Sequence, residues 1–377
     1  MNPRVAAIEP SVIRTLAARK KPSSIDLGLG EPSLLPTMRY FEAAAQWVAQ
    51  NGCRYTVSAG DPELRAALAS HYAYPELDRP DNVLITAGGS QEAVYVAIKA
   101  LLDPARDELL VVEPAYPVYA KCATLEGIAV RRAEMRPNDG FAFDPERILA
   151  EVGPRTRAIA ICSPCNPTSR TIARTAVERI ARALGERAGA PIYVLHDEVY
   201  RELTYVNDAG WFGEVYPHTI AINSLSKSNA LTGMRIGWAL GPKAAIAAMT
   251  KAHGWIASTA NTFAQRVALE ILQTPMGLSE HAAWYREQRS GVELELAALG
   301  LNHLPIEGTF YAAVPIGEVD SLEFAYRLLD ESDVVAIPGS IFGASFEGWL
   351  RCSWVDTLVR VREGFARIAQ AAAPALR

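Results

Sequence analysis

The chain has 377 residues, 50% hydrophobic and 21% charged, a balance that excludes a disordered protein. Its 26 Gly and 24 Pro fall in no repeating triplet, which excludes a collagen-like one. Lys and Arg number 37 against 42 Asp and Glu; the net charge of −5 advertises neither nucleic acid nor membrane as a partner, and no apolar run approaches the ~20 residues that span a bilayer.

In chain order, residues 1–20 lack the apolar core of a signal peptide, carry Glu9 and Pro10, and read as a short surface helix. Five short apolar runs follow, at 82–86, 108–113, 158–162, 191–196 and 219–223. Without polar alternation they suit strands buried on both faces of a mostly parallel sheet. Residues 171–187 show apolar residues at helical spacing with charge between them, the pattern of a covering helix. From about Met276 the pattern changes to a long charged helix at 279–298, short strands around 310–314 and 349–353, and a final helix. The expectation is a large α/β domain over 36–275 and a smaller α+β domain built from 1–35 and 276–377. Five cysteines, an odd count too small for a disulfide framework, point to a reducing compartment and so to the cytoplasm.

Ligands of open α/β sheets bind at the carboxyl ends of the strands, and the unusual residues of this chain concentrate there. The first run ends in Gly88-Gly89-Ser90 before an apolar helix, a close-approach turn with free N–H groups for an anion. No G-x-G-x-x-G follows a strand; Gly28-Leu-Gly30-Glu-Pro-Ser33 lacks the third glycine, and no P-loop occurs. The second run ends in Glu113-Pro-Ala-Tyr116-Pro-Val-Tyr119, which offers an aromatic face for stacking or simply packs the rim. Next comes Cys162-Ser-Pro-Cys165-Asn166-Pro-Thr168. Its two cysteines have redox spacing but no second pair to complete a zinc site, so they read as small buried residues and no metal is expected. The fourth run ends in His196-Asp197-Glu-Val-Tyr200, where a carboxylate needs a positive partner to be buried; His196 stays unassigned. The fifth ends in Ser224-Leu-Ser226-Lys227, followed by Arg235. Desolvation would lower the Lys227 pKa and make its amine nucleophilic, and Ser224, Ser226 and Arg235 compose a phosphate cup. A lysine, an aspartate, a phosphate cup and an aromatic plate together ask for a planar, phosphorylated aldehyde with a basic ring nitrogen. Pyridoxal 5′-phosphate has these features.

On these motifs the chain resembles the fold-type I pyridoxal-phosphate enzymes of the class I/II aminotransferase family, of the aspartate aminotransferase kind. The resemblance runs from Pro10-Ser-Val-Ile-Arg14 to the last helix. It is carried by Ser224-Leu-Ser-Lys227, Thr232-Gly-Met-Arg-Ile-Gly237, Asp197-Glu-Val-Tyr200, Asn166-Pro-Thr168, and Tyr55-Thr-Val-Ser-Ala-Gly60 with Leu64-Arg65. It implies a seven-stranded, mostly parallel sheet covered by helices, plus the smaller α+β domain. It also implies an aminotransferase (EC 2.6.1.-) that works by a ping-pong mechanism between an α-amino acid and a 2-oxo acid, through a Lys227 aldimine and pyridoxamine phosphate.

By the same resemblance Lys227, Asp197 and Tyr200 are catalytic: Lys227 shuttles protons, Asp197 pairs with the pyridine nitrogen, and Tyr200 and Asn166 bond the ring hydroxyl. Tyr116 stacks on the ring, and Gly88, Gly89, Ser90, Ser224, Ser226 and Arg235 surround the phosphate. Gly30, Asn166 and Arg351 meet the substrate, Arg351 clamping its carboxylate. Tyr55 implies a homodimer, its hydroxyl crossing to the partner's phosphate. Ser169 stands where the family usually has Gly, which raises the question of whether the Asn166 loop turns differently. The alternative on the same cofactor is a β-eliminating lyase of the C–S type, or a decarboxylase. A non-catalytic regulator on this fold has no need of a complete Lys227, Asp197 and Arg351 set.

Overall fold

The structure is a computed structural model and describes residues 1–373. All five apolar runs form strands, joined by two that periodicity does not reveal. In chain order they are β1 Val83–Thr86, β2 Glu108–Glu113, β3 Ala129–Glu134, β4 Thr156–Cys162, β5 Tyr193–Asp197, β6 Thr219–Ser224 and β7 Gly237–Leu240. They make one seven-stranded sheet in the order β1-β7-β6-β5-β4-β2-β3. Only β7 runs against its neighbours; the remaining pairs are parallel. Every residue of β1, β2 and β6 is buried, which is why these strands read as unbroken apolar runs.

The two hidden strands have physical reasons for being hidden. Strand β3, Ala-Val-Arg-Arg-Ala-Glu, is a mostly exposed edge. Its Arg131 and Arg132 pair with Glu108 and Glu113 on β2, and charge on an edge discourages pairing with another chain. Strand β7 is short, and it enters beside the Gly88-Gly89 turn so closely that a Cβ on Gly237 would lie 2.5 Å from the Gly89 carbonyl carbon. Glycine is required there.

The helices include α1 Val12–Arg19, α2 Ser90–Leu101, α3 Val118–Glu126, α4 Arg174–Gly185, α5 Lys243–Ile256, α6 Ala282–Ala298 and α7 Leu358–Ala372; α2, α3 and α5 pack against strands of the large sheet, whereas α6 packs on α7. Helix α4 buries Ala176, Val177, Ile180, Ala181 and Leu184, one stripe at spacings of three and four. Each of its large aliphatic side chains contributes about 1.5–3 kcal/mol by leaving water. A second, antiparallel sheet is formed by β8 Tyr311–Pro315, β9 Ile337–Pro338 and β10 Trp349–Ser353, in the order β9-β10-β8. Near the N-terminus Ile25–Asp26 pairs in parallel with Val334–Val335. That pairing ties the N-terminal segment to the C-terminal third and carries Gly28 and Gly30 to the strand ends of the large sheet. Among the described residues no helix is long and apolar enough to cross a membrane.

Candidate active site

A cavity of ≈ 790 Å³ opens at those strand ends. Its lining includes Gly30, Gly88, Ser90, Tyr116, Asn166, Asp197, Tyr200, Ser226, Lys227, Arg235 and Arg351. Residues far apart in the chain therefore meet in one cavity where five strands end. Gly89 and Ser224, close in the chain to this lining, are not themselves part of it. Tyr55 does not belong to it: its side chain is 90% exposed on the surface of the chain.

Lys227 sits in the single helical turn after β6, capped by Ser224 Oγ, which accepts the Ser226 N–H. Its Nζ donates to the Gly30 carbonyl at 2.6 Å. Burial, then the neighbouring Arg351 guanidinium, pull the ammonium down from 10.5 to about 8. A Cβ on Gly30 would lie 2.0 Å from the Tyr311 hydroxyl, so only glycine presents this carbonyl.

Asp197 ends β5 with its carboxylate buried. Burial raises its pKa, while the Tyr119 hydroxyl, donating to Oδ2 at 2.7 Å, and the Val199 N–H, donating to Oδ1, oppose the rise. The Tyr200 hydroxyl lies 3.0 Å from that of Tyr311. Burial holds the Tyr200 phenol well above its ordinary range, so it stays protonated.

Arg351, central in β10, is 2% exposed and pairs with no carboxylate among the described residues. Nη1 donates to Asn166 Oδ1 at 3.1 Å and Nη2 to the Gly28 carbonyl, while buried Nε has no partner. The guanidinium lies 4.3 Å from the Tyr311 ring centroid and 5.4 Å from that of Phe342. A buried cation held by neutral groups and π-faces, with donors to spare, is a receptor for an anion from outside the chain.

At the turn after β1, Gly89 has a φ of +74° and opens α2. The amides of Gly89, Ser90 and Gln91 donate to no acceptor among the described residues. Arg235 leans in from the β7 side, with Nη1 on the Thr232 carbonyl and Nη2 on that of Gly88. The Gly88 amide differs from the expectation, because Glu92 Oε2 already accepts it.

Tyr311, Tyr119 and Glu92 are the site residues that strand-end reasoning left without a role. Tyr119 was visible as the second aromatic of its loop, and Tyr311 as the one large polar residue in Tyr-Ala-Ala-Val. Ser169 keeps the left-handed turn, with a φ of +58°. Its buried hydroxyl lies 2.6 Å from Thr309 Oγ1 and donates to the Tyr311 carbonyl, bonds that hold the turn in place of glycine's freedom. The thiols of Cys162 and Cys165 are buried and free, and burial raises both pKa values.

Comparison with known proteins agrees with this geometry. The family model described as aminotransferase class I and II matches residues 22–367. An aspartate/prephenate aminotransferase of Thermus thermophilus is 33% identical, with 98% of each chain covered. An aspartate aminotransferase of Pyrococcus horikoshii is 32% identical over 98% of this chain and 96% of its own. The structure of Thermus thermophilus aspartate aminotransferase with maleate superposes with a TM-score of 0.90 at 32% identity, covering 98% of this chain and 99% of that one.

Proposed function

Since this chain belongs to the class I and II aminotransferase family and is an aminotransferase, we propose that pyridoxal 5′-phosphate is its cofactor, carried by Lys227, and that Arg351 binds the carboxylate of an α-amino acid. The observation that carries the reading is the pair of cations in one cavity: a lysine with its pKa lowered, and a buried arginine with no carboxylate of its own. The remaining donors fit the same group. Free amides at Gly89, Ser90 and Gln91 with Arg235 suit a phosphate, Asp197 suits a protonated ring nitrogen, and Asn166 and Tyr200 suit a ring hydroxyl.

When bound, the cofactor supplies an aldehyde that takes up the substrate's amino group and a pyridinium ring that draws electrons from its Cα. The chain's own residues do the rest. Asp197 holds the proton on the ring nitrogen, its charge maintained by Tyr119. Lys227 would accept and return a proton at the substrate Cα, a role to which a pKa of about 8 suits its amine near neutrality. Arg351 and Asn166 fix the carboxylate, which orients the Cα toward Lys227.

Residues 36–275 would form the larger unit and 1–35 with 276–377 the smaller, with Asn166 and Lys227 from the first and Gly30 and Arg351 from the second lining the cavity that would hold the cofactor. The working form is a cytoplasmic homodimer in which the exposed Tyr55 reaches the partner's phosphate, and the exposed Val57, Trp255 and Ile256 supply apolar contact area. Substrate names among the relatives include aspartate/prephenate and, for a probable enzyme of Bacillus subtilis at 30% identity, N-acetyl-LL-diaminopimelate.

Borohydride reduction of the purified, pyridoxal-phosphate-loaded protein, followed by peptide mapping, tests the assignment. The label is expected on the peptide containing Lys227, and each effective donor should release one 2-oxo acid per site. Label on another lysine refutes it.

A further inference from the structure

Glu92 sits on the first turn of α2 and lines the same cavity as the free amides. Its side chain is 9% exposed and held from two sides. Oε2 accepts the Gly88 amide, and Oε1 lies 2.7 Å from Nδ1 of His253, a wholly buried residue of α5. Nε2 of His253 has no partner among the described residues, so this histidine is tied to the site through Glu92 alone. Beside the carboxylate, Arg235 leans on the Gly88 carbonyl. A Cβ on Gly88 would come within 2.9 Å of Glu92 Cβ, which shows how tightly the acid is seated against the turn.

A carboxylate in this place works against the cup around it. It occupies one of the backbone donors that an anion at the N-terminus of α2 would use. It also fixes a negative charge, largely shielded from water, beside the position of that anion, where like charges repel more strongly than in bulk solvent. His253 keeps the acid from swinging out to solvent, so the opposition is built in. On the reading that this cup holds the cofactor phosphate, we propose that Glu92, tethered by His253, is a positioning residue that limits how tightly the phosphate is held and thereby sets the rate of cofactor exchange.

A purely structural role for Glu92 makes the opposite prediction. An acid three residues after a helix N-cap often accepts a backbone N–H in a capping box, and losing it loosens the turn. Removing the acid would then weaken the cup. If Glu92 opposes the phosphate, removing its charge tightens the cup.

The test uses the apoprotein and reads cofactor affinity. The dissociation constant and release rate of pyridoxal 5′-phosphate are measured for wild type, Glu92→Gln and Glu92→Ala, with inorganic phosphate as a competing probe. Glutamine keeps an oxygen for the Gly88 amide and an amide group for His253 while losing the charge; alanine frees the Gly88 amide altogether. Both are expected to hold the cofactor about tenfold more tightly, ~1.4 kcal/mol, to release it more slowly, and to be inhibited by less phosphate. Melting of each apoprotein identifies the folded variants, and a single folded one suffices. Cofactor trapped on Lys227 with unchanged or weaker affinity in a folded variant overturns this inference alone. Cofactor trapped on another lysine overturns the cofactor assignment on which it rests.

Discussion

Replacing Arg351 by leucine separates substrate binding from folding and from cofactor binding. The guanidinium already spends one Nη1 donor on Asn166 and one Nη2 donor on Gly28, leaving Nε and one N–H on each Nη for a substrate carboxylate. Two charge-assisted bonds at ~1.5–3 kcal/mol each amount to about 3–6 kcal/mol. Arg351→Leu should therefore lower kcat/KM for an amino acid by about 10²- to 10⁴-fold. Leucine also removes a buried charge while stranding the acceptors of Asn166 and Gly28; these effects oppose one another, so Tm should move by only a few degrees. Arg351→Lys keeps the charge but not the fork, and should fall between wild type and the leucine variant. The decisive comparison pairs each amino acid with the amine that lacks its carboxylate. The steady-state penalty should appear with the amino acid and vanish with the amine, while cofactor affinity stays the same in all three proteins. A leucine variant whose kcat/KM stays near wild type refutes the role, and equal losses on both substrates assign Arg351 to the scaffold.

Three further perturbations follow from the same geometry. Tyr119→Phe removes a 2.7 Å donor from a carboxylate whose pKa burial already raises; the acid limb of the kcat/KM profile should move to higher pH, and an unmoved limb rejects the role of Tyr119. In the apoprotein, Lys227→Met should raise Tm most below pH 8. The folded lysine titrates at about 8 against an ordinary 10.5, so the unfolded chain binds more protons between them, wild-type stability climbs through that window, and the gap should close. A gap independent of pH contradicts the lowered pKa. Gly30→Ala places a methyl group 2.0 Å from the Tyr311 hydroxyl and should disturb the Tyr311–Tyr200 contact together with the carbonyl that holds Lys227. Turnover should fall by at least about tenfold; a fully active variant shows that Tyr311 can give way.

Sequence reasoning reached the buried strands and the residues at their carboxyl ends for one physical reason. A strand covered on both faces must be apolar throughout, so a lysine, an aspartate or paired glycines at its end stand out. It missed β3 because an edge strand is under no such constraint: its arginines are solvated and its acidic partners lie on β2. It missed β7 because four residues beside a glycine-dependent close approach have no periodicity to read.

The sequence by itself determined the sheet's buried strands and the family resemblance, and it singled out Lys227 and Asp197 by their places at strand ends and Arg351 through that resemblance. The strands and their terminal residues follow from residue type and local order along the chain, and the resemblance from motifs in sequence. Only the tertiary structure decided how those groups are tuned. Tyr119 meets Asp197 across 78 positions of chain, Asn166 meets Arg351 across 185, and Glu92 takes the Gly88 amide while His253 holds it from 161 positions away. No local pattern encodes such meetings. They exist because parallel strands linked through covering helices bring distant segments to one edge of the sheet, where a hydrogen bond or a charge acts over a few ångströms of space whatever the length of chain between.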